Sequence, residues 1–191
     1  MPDKVKFNIK NVHYAVKKAE GSGWDTPKAI PDAVSFSLEP EGDVSPFYAD
    51  GMVYYNAVAN NGYSGDLEMA LFPAEFMQDV FGVTEGSTSK VLTENAQVEP
   101  KSVALLFEED GDVKGTKYVL YNCTMTRPTH EFNTNEDKKE PSTSKSSVTV
   151  SPMEDGRVMA MTQDSTPADV LQGWYTKVFE ETARYGTHCT N

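Results

Sequence analysis

The sequence predicts a mainly β protein of the α+β kind. The expected architecture is a sandwich or barrel with one short helix packed on the sheet, a second short C-terminal helix, and long loops between strands. Three observations predict it. Apolar and polar residues alternate over short stretches, as in Val34, Phe36 and Leu38 against Ser35, Ser37 and Glu39; a period of two puts one set on a core and the other in solvent. Turn chemistry recurs between these stretches, at Asn60-Asn61-Gly62, Asp110-Gly111 and Asp155-Gly156. Helical spacing is confined to residues 73–81 and 166–173.

The elements follow in chain order. Val5, Phe7 and Ile9 alternate with lysines and Asn8, and Val12, Tyr14 and Val16 resume one residue out of phase, which predicts a bulge or bend near Asn11. Residues 21–31 read as a Gly/Pro loop carrying Trp24. A strand is predicted over 34–39, and an exposed loop over 40–50 with Pro46-Phe47-Tyr48 at its tip. The alternating runs 53–59 and 63–71 then read as a hairpin turning at Asn60-Asn61-Gly62.

Pro73, early acids Glu75 and Asp79, and apolar Phe72, Phe76 and Val80 four residues apart predict a helix ending at Gly82. The continuous apolar run 102–107 suits a strand covered on both faces and pairs with 117–125 across an acidic tip, residues 108–115. Residues 148–153 and 158–162 form a further hairpin. Thr166-Pro167-Ala168-Asp169 resembles a capping box with Asp in place of Glu. It opens a helix toward Gly173, followed by Trp174, Val178 and Phe179, which dock on their own domain or on a neighbour.

At 191 residues the chain suits one domain, 1–191, with a single sizeable core. Two loops, near 40–50 and 129–147, are expected to be mobile, the second because it is nearly free of apolar residues; the C-terminus 180–191 is expected to be flexible.

A net charge of −12 argues against gripping nucleic acid, which needs Lys and Arg at phosphates. Acidity suits either plain solubility or a wall along which DNA slides without binding. Cys123 falls at an inward position of a strand and Cys189 near the end, so no disulfide between them is expected. Residues 1–10 are too polar for a signal peptide, and no stretch is long and apolar enough to span a membrane. His13, His130 and His188 are scattered; no nucleophile elbow, zinc motif, phosphate loop or calcium loop occurs. No catalytic, cofactor or metal residues are therefore predicted.

Five collinear pieces carry a resemblance: KNVHYA (10–15), SLEPEGD (37–43), PFYADG (46–51), YNAVANNGYSGDLEMAL (55–71) and GDVKGTKYVLYNCTMTRPT (111–129). In these the chain resembles the major tail protein of long-tailed bacteriophages, in the branch called phi13-type, over roughly residues 6–161. The resemblance implies a tail-tube-type sandwich or barrel and a structural virion protein rather than an enzyme. Such subunits close into rings, usually six-membered, that stack into a tube conducting the genome. The implied partners are further copies of the chain and other tail proteins such as the tape measure and tail terminator. DNA passes through without specific binding, no membrane is involved, and assembly takes place in the bacterial host cytoplasm.

On this view Pro40, Glu41, Asp43, Pro46, Phe47, Tyr48 and Asp50 form an assembly interface, since aromatics rimmed by charge suit a contact anchor. The same aromatics suit a cap folded back on the sandwich. Two other readings stay open: a tube component of a phage-related secretion or gene-transfer particle, and a monomeric β-sandwich displaying Trp24 and Phe47-Tyr48 to a carbohydrate.

Overall fold

The computed structural model describes residues 8–19, 23–49, 51–110, 115–132 and 142–181, with backbone alone for 44–49 and 53–58. In chain order the strands are β1 (Asn8–Val16), β2 (Lys28–Ala29), β3 (Ala33–Glu41), β4 (Val44–Ala49), β5 (Met52–Val58) and β6 (Gly62–Met69). After helix α1 (Ala74–Phe81) come β7 (Thr84–Glu85), β8 (Leu92–Thr93), β9 (Val103–Asp110), β10 (Thr116–Met125), β11 (Ser144–Val150) and β12 (Met159–Met161). Helix α2 (Ala168–Gly173) follows. The protein is mainly β, as its alternation predicts.

One antiparallel sheet dominates, in the order β2-β1-β9-β10-β11-β6-β3, with β12 also paired to β10. Both faces of its centre are covered. Along β9 the consecutive residues Val103, Ala104, Leu105 and Leu106 are all buried, which explains the unbroken apolar run. Val103 and Leu105 join the cluster under α1 with Tyr14, Leu67, Phe76 and Val80. Ala104 and Leu106 face the other way, onto Val119, Tyr121, Trp24, Trp174 and Val178.

Helix α1 forms where the spacing predicts it. Phe76, Val80 and Phe81 fall on one buried stripe, and Gly82 in the left-handed conformation ends it, its N–H bonding to the Gln78 carbonyl. Full burial of a Phe such as Phe76 is worth roughly 1.5–3 kcal/mol. The predicted bulge in β1 is present: its register against β9 shifts between Lys10 and His13, and Asn11 takes φ 54. Cys123 is fully buried, and burial pushes its thiol pKa up to about 12.

Several expectations are overturned. Residues 44–49, read as part of a loop, form β4. The run 52–58 pairs with β4, not with β6, so Asn60-Asn61-Gly62 is a junction between strands and not a hairpin turn. The Asn60 side chain accepts from the Gly62 N–H at 3.1 Å, and Gly62, at φ 106, lies so close to β11 that a Cβ would meet the Val150 carbonyl at 1.8 Å. The Asn-Gly chemistry thus serves a kink where the chain enters β6 close alongside β11.

At the predicted acidic tip, Glu108 is buried within β9; it accepts from Asn11 Nδ2 at 3.0 Å and from the Tyr175 hydroxyl at 3.3 Å, and Lys10 stands 3.5 Å away. The runs 148–153 and 158–162 meet at a turn, yet both β11 and β12 pair with β10 instead of with each other. No side chain caps α2; Thr166 Oγ1 instead accepts from the Gln163 N–H at 2.8 Å. The loop predicted over 129–147 is shorter, since β11 starts at Ser144; residues 133–141, like 1–7, 111–114 and 182–191 with Cys189, lie outside the described residues.

Candidate assembly interface

The predicted interface residues lie on a two-stranded ribbon, built as follows. β3 pairs with β6, ending at Glu41↔Gly62. Beyond that point the Asn61 N–H bonds to the Glu41 carbonyl at 2.8 Å, and the Ala59 N–H to the Asp43 carbonyl at 3.0 Å. The pairing then resumes as Val44↔Val58 and runs to Ala49↔Met52. The chain reverses between Ala49 and Met52, with Gly51 at φ 77 supplying the positive φ that a tight reversal needs. The chain therefore forms one long hairpin, whose base belongs to the main sheet and whose outer part is a separate two-stranded sheet.

The interface residues are strung along one strand of this hairpin and do not converge. Pro40 and Glu41 end β3, opposite Tyr63 and Gly62; both are exposed, as is Asp43 at the junction. Glu41 accepts a hydrogen bond from the Ser64 hydroxyl. Pro46, Phe47 and Tyr48 lie in β4, opposite Asn56, Tyr55 and Val53. Asp50 lies outside the described residues. From position 40 to 48 the strand covers roughly 26 Å at about 3.3 Å per residue. Residues so spread cannot close around one small molecule, but they can lie along another surface.

Polar clusters elsewhere are structural in form. Asp79 on α1 accepts from the Tyr14 hydroxyl at 2.8 Å and from Lys28 Nζ at 2.6 Å, tying helix, β1 and β2 together. Burial disfavours the Asp79 carboxylate, yet those two donors hold its pKa below the ordinary value. The hydrogen bond to Asp79, then that to Glu75, raises Lys28. Tyr175 is stacked on His13 at 4.4 Å, and Lys117 sits 5.0 Å over its ring, so the segment after α2 is anchored on its own domain. Trp24, one of two aromatic features weighed for carbohydrate display, is buried against Tyr121 and cannot present its face. Among the described residues no group of three or more His, Cys, Asp or Glu is placed to hold a metal ion, and no helix is long and apolar enough to cross a membrane.

No family model matches the chain, and no curated protein matches it. Among solved structures it is similar to the PVC sheath/tube terminator of an extracellular contractile injection system, seen by cryo-EM in the extended state. The similarity covers 84% of this chain and 99% of that one, at 11% identity and a TM-score of 0.42. A likeness of that degree leaves function to be argued from the chain itself.

Sequence reasoning found the residues of the outer hairpin but not the hairpin. Val44, Phe47 and Tyr48 carry β propensity, but Pro46 and the flanking acids pointed to a loop. Pro46 is tolerated because the ribbon has two outer edges, where a missing N–H breaks no ladder bond.

Proposed function

We propose that this chain is a structural, self-assembling tail-tube subunit without catalytic activity, whose rings stack into the conduit for genome delivery. The observation that carries this reading is the hairpin of residues 33–69, in which the family-like segments 37–43, 46–51 and 55–71 form one continuous two-stranded element leaving the main sheet. Among the described residues its outer part, β4 and β5, pairs with no third strand, and edges of that kind suit strand pairing or docking on a neighbour. The main sheet supplies two further borders, β3 at one end and β2 at the other. A head-to-tail contact between unlike borders closes a ring if its rotation closes, and a second contact along the axis makes a stack. Partners on this reading are sister copies and other tail proteins.

Negative-stain electron microscopy of concentrated protein tests it. Rings or tubes are the expected result, and Phe47→Asp should thin or abolish them while leaving the fold unchanged. Normal tubes from Phe47→Asp would overturn the anchor role. A particle that stays a single chain at every concentration, with or without a tail-initiating template, would overturn the reading as a whole.

A further inference from the structure

The segment after α2 lies across the sheet face opposite α1, where Trp174 and Val178 are buried in one cluster with Leu106, Val119 and Tyr121. Among the described residues it belongs to no strand, and side chains hold it. Trp174 Nε1 donates to the Tyr118 carbonyl at 3.4 Å, and the Tyr175 hydroxyl donates to Glu108 at 3.3 Å. Lys117 Nζ donates to the Leu171 carbonyl at 3.0 Å, just before the segment. Glu108 is the buried centre of this seat. It stands opposite Lys10 of β1 on one side and opposite Lys117 of β10 on the other, an acid between two lysines. Its carboxylate also accepts from Asn11 Nδ2 at 3.0 Å, with Lys10 Nζ at 3.5 Å. Gly115 closes a further side, since a Cβ there would meet Glu108 Oε1 at 2.4 Å.

We propose that Glu108 is a proton-operated latch for residues 174–179. Ionised, it holds them on the sheet; protonated, it lets them lift while the sheet stays folded. The Lys10 ammonium and the Asn11 amide nitrogen offer hydrogens only, so a proton on this carboxyl meets donors. The bond from the Tyr175 hydroxyl is charge-assisted while Glu108 is ionised and becomes a neutral bond about half as strong once it is not. Tyr175 itself stays a donor throughout, because burial and then the Glu108 charge push its pKa up. Neutral Glu108 also leaves Lys10 and Lys117 without the acid between them, with Lys117 Nζ 5.0 Å over the Tyr175 ring. His13, stacked on that ring at 4.4 Å, adds charge of the same sign when protonated. On β9 itself Asp110 accepts from Lys10 at 3.1 Å and Glu109 from the Tyr118 hydroxyl at 2.9 Å, so these acids have partners of their own. Docking is therefore firmest at neutral pH and weakens as the pH falls. The latch belongs to the single subunit and does not depend on ring assembly.

The test uses the full chain with Cys189→Ser and Val178→Cys, Val178 and Cys123 both being buried. Labelling by a dipyridyl disulfide, which reacts at acid pH, is divided at each pH by that of a free thiol peptide and so reports how often the segment lifts. It should rise about tenfold from neutral to acid pH at unchanged far-UV circular dichroism, the ratio expected when a charged hydrogen bond becomes neutral. With Glu108→Gln added, labelling should already be about tenfold higher at neutral pH and stay level on acidification. Labelling independent of pH in the parent, or the same rise with Glu108→Gln, would overturn the proposal. Acrylamide quenching of tryptophan fluorescence gives a readout that needs no substitution. It should increase over the same pH range in the natural sequence, and a flat response would overturn the proposal as well.

Discussion

The sheet body and the outer ribbon are made of similar residues and held by different physics. In the body, β9 is flanked by β1 and β10 and covered on both faces, so Leu105 and Leu106 are almost wholly removed from water. In the ribbon, among the described residues, β4 and β5 pair with each other alone, in a sheet of two strands. A lone two-stranded hairpin is marginal in water and gains stability from what it lies against. Aromatics serve the two regions differently. Phe76 is locked against Tyr14 at 4.9 Å and Phe72 at 5.2 Å, whereas Phe47 and Tyr48 belong to β4 of the separate two-stranded sheet. The body therefore sets the stability of the subunit, and the ribbon is free to be selected for what it meets.

The largest effect that sharpens this contrast is expected at Phe76→Ala. Emptying a fully buried ring site shared by α1 and the sheet should cost about 3–5 kcal/mol in urea unfolding. At the boundary of the two regions, Gly62→Ala should cost more than about 1 kcal/mol, since alanine is strained at φ 106 and its Cβ would strike the Val150 carbonyl. A near-neutral Gly62→Ala would mean that the junction moves independently of β11.

Acid acts on the body more gently. The Asp79 pKa is depressed in the folded state, so its contribution is present above the ordinary carboxylate range and is lost as pH falls through the folded value. Unfolding free energy followed from neutral pH downward should show this as a loss at the acid end, reduced in Asp79→Asn. The smallest effect on stability belongs to the ribbon: Phe47→Asp should shift unfolding by no more than about 0.5 kcal/mol while assembly suffers. A core-sized loss at Phe47 would break the comparison, because the ribbon would then be part of the body.

Local pattern was a good guide wherever the body satisfied it. The bulge at Asn11, helix α1 with its stop at Gly82, the doubly covered strand at 103–106 and buried Cys123 all follow from spacing and composition. It misled wherever one signal served a different partner. Asn60-Asn61-Gly62 has turn chemistry, but the chain reverses between Ala49 and Met52 because a longer pairing of 33–49 with 52–69 was available. Glu108 reads as a solvated acid, yet Asn11 and Tyr175 reach it from far along the chain and satisfy it in a buried place. Trp24, in a Gly/Pro loop, reads as displayed, and a bridge between Lys17 and Trp24 draws it inward.

By itself, then, the sequence determined the mainly β character, the two helices and most of the residues that leave water; Val34 and Leu71, read as inward by alternation, are exposed, Val34 at a register shift of β3. All of these are set by periodicity within a few neighbouring positions. Which strand pairs with which, where the long hairpin turns, and which edges stay open were decided only in three dimensions. Strand pairing joins residues by backbone groups that every residue carries, so the choice among partners rests on the packing of the whole sheet.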